Sequence, residues 1–173
     1  VTGGAGFIGS NLVDRLVKEG HKVIVLDNFV SGKKKNLSHH SKNNVKIIRL
    51  DISNNQKIDK YFKGVKYVFH LAGLAEIVPS IKNPKKYFIN NFLGTLNVLE
   101  AAKKMKVKKF IYAASSSCYG SPKKIPTPET ERIDTKHPYA FTKFLGEEAV
   151  INYARFFKMP NISCRFFNVY GQR

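Results

Sequence analysis

At 173 residues the chain is long enough for one domain with a core of its own. Its 30 Lys and Arg against 12 Asp and Glu give a net charge of +18, which admits nucleic acid, an anionic membrane surface or anionic small molecules as partners. The lysines are scattered over almost every expected helix surface and loop, with Lys33-Lys34-Lys35 the one tight triplet, so a solvated surface is read in place of a nucleic-acid stripe, which gathers arginines and aromatics on one element.

Two cysteines, Cys118 and Cys164, are too few for a disulfide framework. No run approaches the roughly 18 uninterrupted apolar residues of a membrane span, and no signal peptide is visible. A soluble protein of the reducing cytoplasm is therefore expected, with no membrane partner. The chain begins without Met, inside an apolar-then-glycine segment, and stops at Tyr170-Gly171-Gln172-Arg173 just after a strand-like run. It is expected to be a piece of a longer protein, incomplete at both ends.

Apolar runs alternate with helix-period segments along the chain, the pattern of βαβ units and of a doubly wound parallel α/β sheet with helices on both faces. In chain order, Ile8, Leu12 and Leu16 recur at helical spacing, with Gly20 placed to end that helix. Strand runs follow at 23–26, 45–50 and 65–69, the first continuously apolar, as suits a strand buried on both faces. A helix is expected after Pro84, running through Val98, Leu99, Ala101 and Ala102, and then a strand at 110–114. Residues 115–136, rich in Ser, Pro and Thr, read as a long loop of the kind that is often functional. A helix over 139–157 and a strand over 162–167 complete the pattern.

The turn Thr2-Gly3-Gly4-Ala5-Gly6-Phe7-Ile8-Gly9 stands between a strand fragment and the first helix. Its G-x-x-G-x-x-G spacing lets the backbone approach a pyrophosphate at a helix N-terminus, where free amides and the helix dipole favour anions; without that context it is only a tight turn. Asp27, at the carboxyl end of the next strand, is placed to accept hydrogen bonds from adenosine ribose hydroxyls, so NAD is preferred over NADP. The competing readings are that Asp27 forms a turn with Asn28, and that the lysines at 33–35 hold a 2′-phosphate. Asp51-Ile52 ends the following strand and is similarly placed for the adenine amino group.

Tyr139 and Lys143 stand four residues apart on the expected helix, one above the other. Tyrosine ionises near pH 10, so a tyrosine base at neutral pH needs about 4 kcal/mol of preferential anion stabilisation, which a close ammonium and a positive nicotinamide ring can supply. Ser115 follows the strand at 110–114, on the edge where open α/β sheets place their ligands, and its hydroxyl can bond the reacting oxygen. Ser116 and Ser117 read as a polar loop start. His39-His40 lack partners at ligand spacing and read as a solvated loop, so no metal site is expected. His70, ending an apolar strand, reads as a satisfied, half-buried residue.

With these residues in place the chain resembles an extended short-chain dehydrogenase/reductase, specifically the NAD-dependent nucleotide-sugar epimerase/dehydratase family typified by UDP-glucose 4-epimerases. The matching segments are residues 2–9, Asp27-Asn28-Phe29, Asp51-Ile52, His70-Leu71-Ala72-Gly73, Asn91-Phe92-Leu93-Gly94-Thr95, residues 115–120, residues 139–143 and Arg165-Phe166-Phe167-Asn168-Val169-Tyr170-Gly171. They span all 173 residues in order. The resemblance implies a Rossmann domain over 1–173 followed by a C-terminal substrate domain that this sequence lacks. It implies catalysis by Ser115, Tyr139 and Lys143, and substrate contact by Ser115, Tyr139 and Asn168. For the cofactor it implies Gly3, Gly6, Phe7, Ile8, Gly9, Asp27, Asn28, Asp51, Ile52, Leu71, Ala72 and Gly73, with Asn91 supporting the site, Tyr139 and Lys143 beside the cofactor, and Phe167 near the nicotinamide. It also implies a homodimer formed by the helix after Asn91 and the helix of Tyr139.

The first-ranked reaction is epimerisation of a nucleotide diphosphate sugar, a UDP-hexose at C4, through a transient 4-keto sugar. Family members that eliminate water or decarboxylate resemble one another in carrying acids just after the catalytic Ser or Thr; here those positions are Ser116 and Ser117. The alternatives are a nucleotide-sugar dehydrogenase or reductase, a 4,6-dehydratase, a non-catalytic dinucleotide sensor of the same fold, and a basic nucleic-acid binder. Intact Ser115, Tyr139 and Lys143 speak against the sensor, and the scattered lysines against the binder.

Overall fold

The computed structural model describes residues 1–54 and 58–173. Its elements are α1 (Phe7–Lys18), β1 (Val23–Asp27), β2 (Val45–Arg49), β3 (Tyr67–His70), α2 (Ile77–Lys82), α3 (Pro84–Tyr87), a π-helical turn (Phe88–Leu93), α4 (Gly94–Lys104), β4 (Lys109–Ser115), α5 (Pro138–Phe157) and β5 (Asn161–Phe166). Short 3₁₀ turns lie at Lys34–Leu37, Ile58–Tyr61 and Ser116–Tyr119. The strands stand within two residues of their expected positions. The six-residue α2, interrupted by Pro79, has too little periodicity to be read from sequence.

Every strand pair is parallel: β1 with β2, β3 with β4, and β4 with β5. Residues 1–3 join the two halves. Gly3 N–H donates to Leu26 O at 2.8 Å and Leu26 N–H to Val1 O at 3.0 Å, while Thr2 N–H donates to Phe69 O at 3.0 Å and Leu71 N–H to Thr2 O at 3.1 Å. The spatial order is therefore β2, β1, residues 1–3, β3, β4, β5, with the chain winding outward both ways from the first segment.

Alternation along β1 sorts its side chains to two faces. Val23 and Val25 pack with Ala5 and with Val13 of α1; Leu26 packs with Val98 and Leu99 of α4, Phe110 of β4 and Val150 of α5. Helices thus lie on both faces, as expected, but the double cover is fullest at β1. Tyr67, Ile162 and Phe166 on β3 and β5 remain exposed. The loop after β4 is tied to the sheet by Arg165 of β5. Its Nε donates to both oxygens of the buried Glu147 on α5 at 3.0 Å, and its Nη1 donates to the Tyr119 hydroxyl at 2.9 Å and Glu129 O at 3.1 Å.

Candidate active site

The glycine turn lies where the chain leaves residues 1–3, the segment paired between β1 and β3. Gly3 has φ +68°, and a Cβ there would stand 2.7 Å from Ala72 N, so the two loops touch backbone to backbone. A Cβ on Gly9 would collide with the Gly3 carbonyl oxygen, so the turn can close against α1 only with hydrogen at that position. No side chain caps α1, which leaves the helix's first-turn amides for an anion. A cavity of about 320 Å³ opens here, lined by Gly3, Gly6, Phe7, Ile8, Gly9, Asp27, Asn28, Asp51, Ile52, Leu71, Ala72 and Gly73. All twelve are among the residues that the resemblance implies for the cofactor.

Asp27 does more than the ribose reading supposes. Its Oδ2 accepts the Ala5 N–H at 2.9 Å and its Oδ1 the Phe29 N–H at 2.8 Å. The carboxylate therefore holds both the glycine turn and the turn after β1, and its remaining lone pairs are those available to a ligand. Asp51 accepts from Ser53 N–H at 2.9 Å, Ser53 Oγ at 2.6 Å and Asn28 Nδ2 at 3.1 Å. Burial pushes its carboxyl up, but these hydrogen bonds outweigh burial and leave it below its ordinary value. None of Lys33, Lys34 and Lys35 lines the cavity.

A second cavity of about 640 Å³ adjoins the first, sharing Phe7, Ile8, Leu71 and Gly73, and is lined also by Ser115, Ser116, Ser117, Tyr139, Lys143, Phe167 and Asn168. Tyr139 donates its hydroxyl hydrogen to Ser115 Oγ at 3.3 Å, and Ser115 Oγ lies 2.7 Å from Ser117 Oγ. The first turn of α5 is fixed from two sides. Ser80 Oγ of α2 accepts the Tyr139 N–H at 3.1 Å, and His137 Nδ1 accepts the Ala140 N–H at 3.1 Å. Pro138 has no N–H to satisfy. The His137 ring also stacks on Tyr139, centroids 5.8 Å apart.

Lys143 lies one turn below Tyr139 and is buried, its Nζ 4.4 Å from the centre of the Tyr112 ring. Burial lowers its ammonium to about 8, partly offset by the carboxylate of Glu147. A lysine so poised still carries its charge at neutral pH and gives it up a little above.

Asn91, expected to support the site, lines neither cavity; it is fully buried and bonds Leu74, which lines both cavities, and Thr142. Two expectations change. His70 is fully buried, not half-buried. His39 and His40, expected to lack partners at ligand spacing, meet Asp14 at that spacing: both Nε2 atoms lie against Asp14 Oδ1, at 2.9 and 2.7 Å, with the three ligand atoms within 4.8 Å of one another, while Arg173 bonds the other Asp14 oxygen. Sequence reasoning missed Ser80, His137, Thr142, Asp14 and the Arg165–Glu147 pair, since each works through a partner that only the fold brings near.

The fold and the two cavities define a dinucleotide-binding α/β protein with a Ser, Tyr and Lys cluster at the sheet's carboxyl edge. The model of the NAD dependent epimerase/dehydratase family matches residues 1–173, and the chain belongs to that family. It is 36% identical over 157 residues to a bifunctional UDP-glucose 4-epimerase and UDP-xylose 4-epimerase of Pisum sativum, covering 86% of this chain and 45% of that one. It is 38% identical over 179 residues to UDP-glucuronic acid decarboxylase 4 of Arabidopsis thaliana, covering all of this chain and 39% of that one. The structure of Thermus thermophilus UDP-glucose 4-epimerase in complex with NAD superimposes with a TM-score of 0.92 at 35% identity, covering 99% of this chain and 55% of that one. The chain thus spans about half the length of the proteins it matches. No helix among the described residues is long and apolar enough to cross a membrane.

Lys143 makes alkaline behaviour diagnostic. Its folded-state value of about 8 lies below the ordinary 10.5, so between these values the unfolded chain binds the proton that the native state has lost, and stability rises with pH. Turnover by the complete protein is expected to fall as pH rises through about 8 while resistance to urea does not fall. A pH–rate profile beside urea titrations checks this; turnover flat to pH 9.5, or a parallel loss of stability, would contradict it.

Proposed function

We propose that the complete protein is an NAD-dependent epimerase of a nucleoside diphosphate sugar, acting on a UDP-hexose at C4. The observation that carries this reading is the meeting of the Tyr139 hydroxyl and Ser115 Oγ at 3.3 Å, one turn from the buried Lys143 ammonium, in the lining of the larger cavity. The residues present fit NAD. The uncapped α1 and its glycine turn suit the pyrophosphate, Asp27 the adenosine ribose, Asp51 with Ile52 the adenine, and Leu71, Ala72 and Gly73 the passage toward Tyr139. When bound, NAD would take a hydride from the sugar carbon and return it to the other face of the resulting ketone.

Tyr139 takes the proton of the C4 hydroxyl, and Ser115 Oγ holds the same oxygen by a hydrogen bond. The Lys143 ammonium favours the phenolate by charge, and its burial strengthens that effect because the surroundings screen it little. Ketone formation removes the stereocentre, so a turn of the sugar before reduction gives the epimer. Phe167 serves the nicotinamide side and Asn168 the diphosphate; both line the larger cavity. A substrate domain following residue 173 completes the pocket. The decarboxylase relative and the dehydratase branch of the family favour a second reading, but elimination or decarboxylation needs an added acid or base. Beside Ser115 this chain offers the neutral hydroxyls of Ser116 and Ser117.

The complete protein is further proposed to act in the cytoplasm, consistent with two free thiols, Cys118 and Cys164, and to form a homodimer. Phe88, Ile89 and Leu93 before α4, with Phe141 and Ile151 on α5, expose apolar surface that an isologous helix pair would cover. Light scattering on the complete protein should give twice the monomer mass at micromolar concentration; a monomer would refute the dimer.

The reaction itself is tested by supplying UDP-glucose, or its N-acetylated counterpart, without added cofactor and following the C4 epimer by NMR. Tyr139→Phe is expected to lower turnover at least about a hundredfold while leaving NAD binding intact. Net accumulation of reduced NAD or of a 4-keto-6-deoxy sugar would move the assignment to another branch of the family, and unchanged turnover in Tyr139→Phe would remove the proposed base.

A further inference from the structure

His70 ends β3 with no exposed surface, its ring between two threonine hydroxyls: Nδ1 lies 2.6 Å from Thr2 Oγ1 and Nε2 2.8 Å from Thr95 Oγ1. Neither hydroxyl is free to choose its role. Thr95 donates to the Asn91 carbonyl oxygen at 2.5 Å, and a hydroxyl has one hydrogen, so toward His70 it can only accept. Nε2 therefore carries the imidazole proton and Nδ1 accepts from Thr2. At the far end Thr2 Oγ1 accepts the Ala72 N–H at 3.3 Å. The run from Ala72 N–H through Thr2, His70 and Thr95 to Asn91 O begins on a group that can only donate and ends on one that can only accept. The neutral ring has one permitted polarity.

Burial, with the nearby Lys143 ammonium adding to it, lowers His70 to about 3, so the ring stays neutral. Stacking on Tyr112, centroids 5.6 Å apart, limits its tilt. The chain continues past Asn91, whose place in the π-helical turn is shared with the carbonyl that Thr95 bonds. Asn91 Nδ2 donates to Leu74 O at 3.0 Å and Thr142 Oγ1 at 3.1 Å, and Asn91 Oδ1 accepts the Leu74 N–H at 2.7 Å. Thr142 Oγ1 in turn donates to Tyr139 O at 2.9 Å. Two runs of hydrogen bonds, joined covalently through Asn91, thus link Thr2 to the backbone of Tyr139.

We propose that His70 is a positioning residue: as the Nε2-protonated tautomer it fixes the Asn91 turn against the central strand and, through Asn91 and Thr142, the first turn of α5 from which the Tyr139 hydroxyl reaches Ser115. The inference rests on the epimerase reading of that site. It gives His70, which touches neither cavity, a share in the reaction through geometry alone, because small displacements of a reacting group cost large factors in rate.

The test uses the complete protein. Nitrogen-resolved NMR of His70 should show a neutral ring protonated on Nε2; protonation on Nδ1 would overturn the inference whatever the protein catalyses. His70→Phe keeps ring volume and deletes both bonds. Should it fail to fold, Thr95→Val cuts the next link and Thr95→Ser restores it. In Thr95→Val the Tyr139 ring resonances are expected to move and turnover to fall about tenfold or more, with KM for the UDP-sugar changed far less; Thr95→Ser should return both. A folded Thr95→Val protein with unmoved Tyr139 resonances would refute the positioning role. Absence of epimer from the wild-type protein would instead sink the epimerase reading, leaving the tautomer and the Tyr139 resonances to decide this one.

Discussion

Everything in this site depends on residues 1–3 being paired on both edges. A parallel sheet wound outward from one strand sends successive loops to opposite sides at that strand, and the divergence leaves a crevice at the carboxyl edge. Here the divergence lies between the turn after Thr2 and the loop after His70. Both halves of the chain turn away from that point, and the cavities open beside these loops: Gly3 and Ala72 line the smaller one, Leu71 and Gly73 line both. The same pairing forces the two loops into backbone contact, which is why Gly3 faces Ala72 N at a distance that admits no Cβ.

A second constraint follows from the first. Tyr139 and Lys143 stand on a helix that crosses the sheet at this edge, and the lysine can face the crevice only by entering the interior. Burying an ammonium is costly; the response is visible in its lowered proton affinity, the Tyr112 ring beside it and Glu147 one turn on. The polar side chains around it meet the same requirement by hydrogen bonding to one another. Asn91, Thr95, Thr142 and His70 are all buried and all paired, as buried polar groups must be. Rigidity at the reacting end is thus a by-product of satisfying the interior.

Much of this was legible in the sequence wherever one strand end or one helical turn was enough. Asp27 and Asp51 were found because a strand's carboxyl end is a ligand edge; Tyr139 and Lys143 because four residues make a helical face; Gly3, Gly6 and Gly9 because a turn between strand and helix needs them. What escaped depends on contacts between distant segments. Ser80 sits on a helix of six residues with a proline inside it, and nothing local ties it to Tyr139. The motif marks Asn91 as support for the site, but its side-chain bonds to Leu74 and Thr142 join segments distant in sequence. His70 was read as a satisfied residue, which is correct, but the direction of its hydrogen bonds depends on Thr2 and Thr95, which flank it from two other elements. Asp27 combined two readings treated as rivals: it makes the turn and lines the cavity.

The central claim is that Tyr139 removes a proton from oxygen, not from carbon, and that the hydrogen on C4 never meets water. The complete protein supplied with UDP-glucose deuterated at C4 tests this directly. The account predicts that the deuterium is retained at C4 of the epimer, with none released to solvent and no solvent hydrogen taken up there. Loss of the label to water, or its replacement by solvent hydrogen, would mean that a base acts on the carbon itself, and would contradict the account.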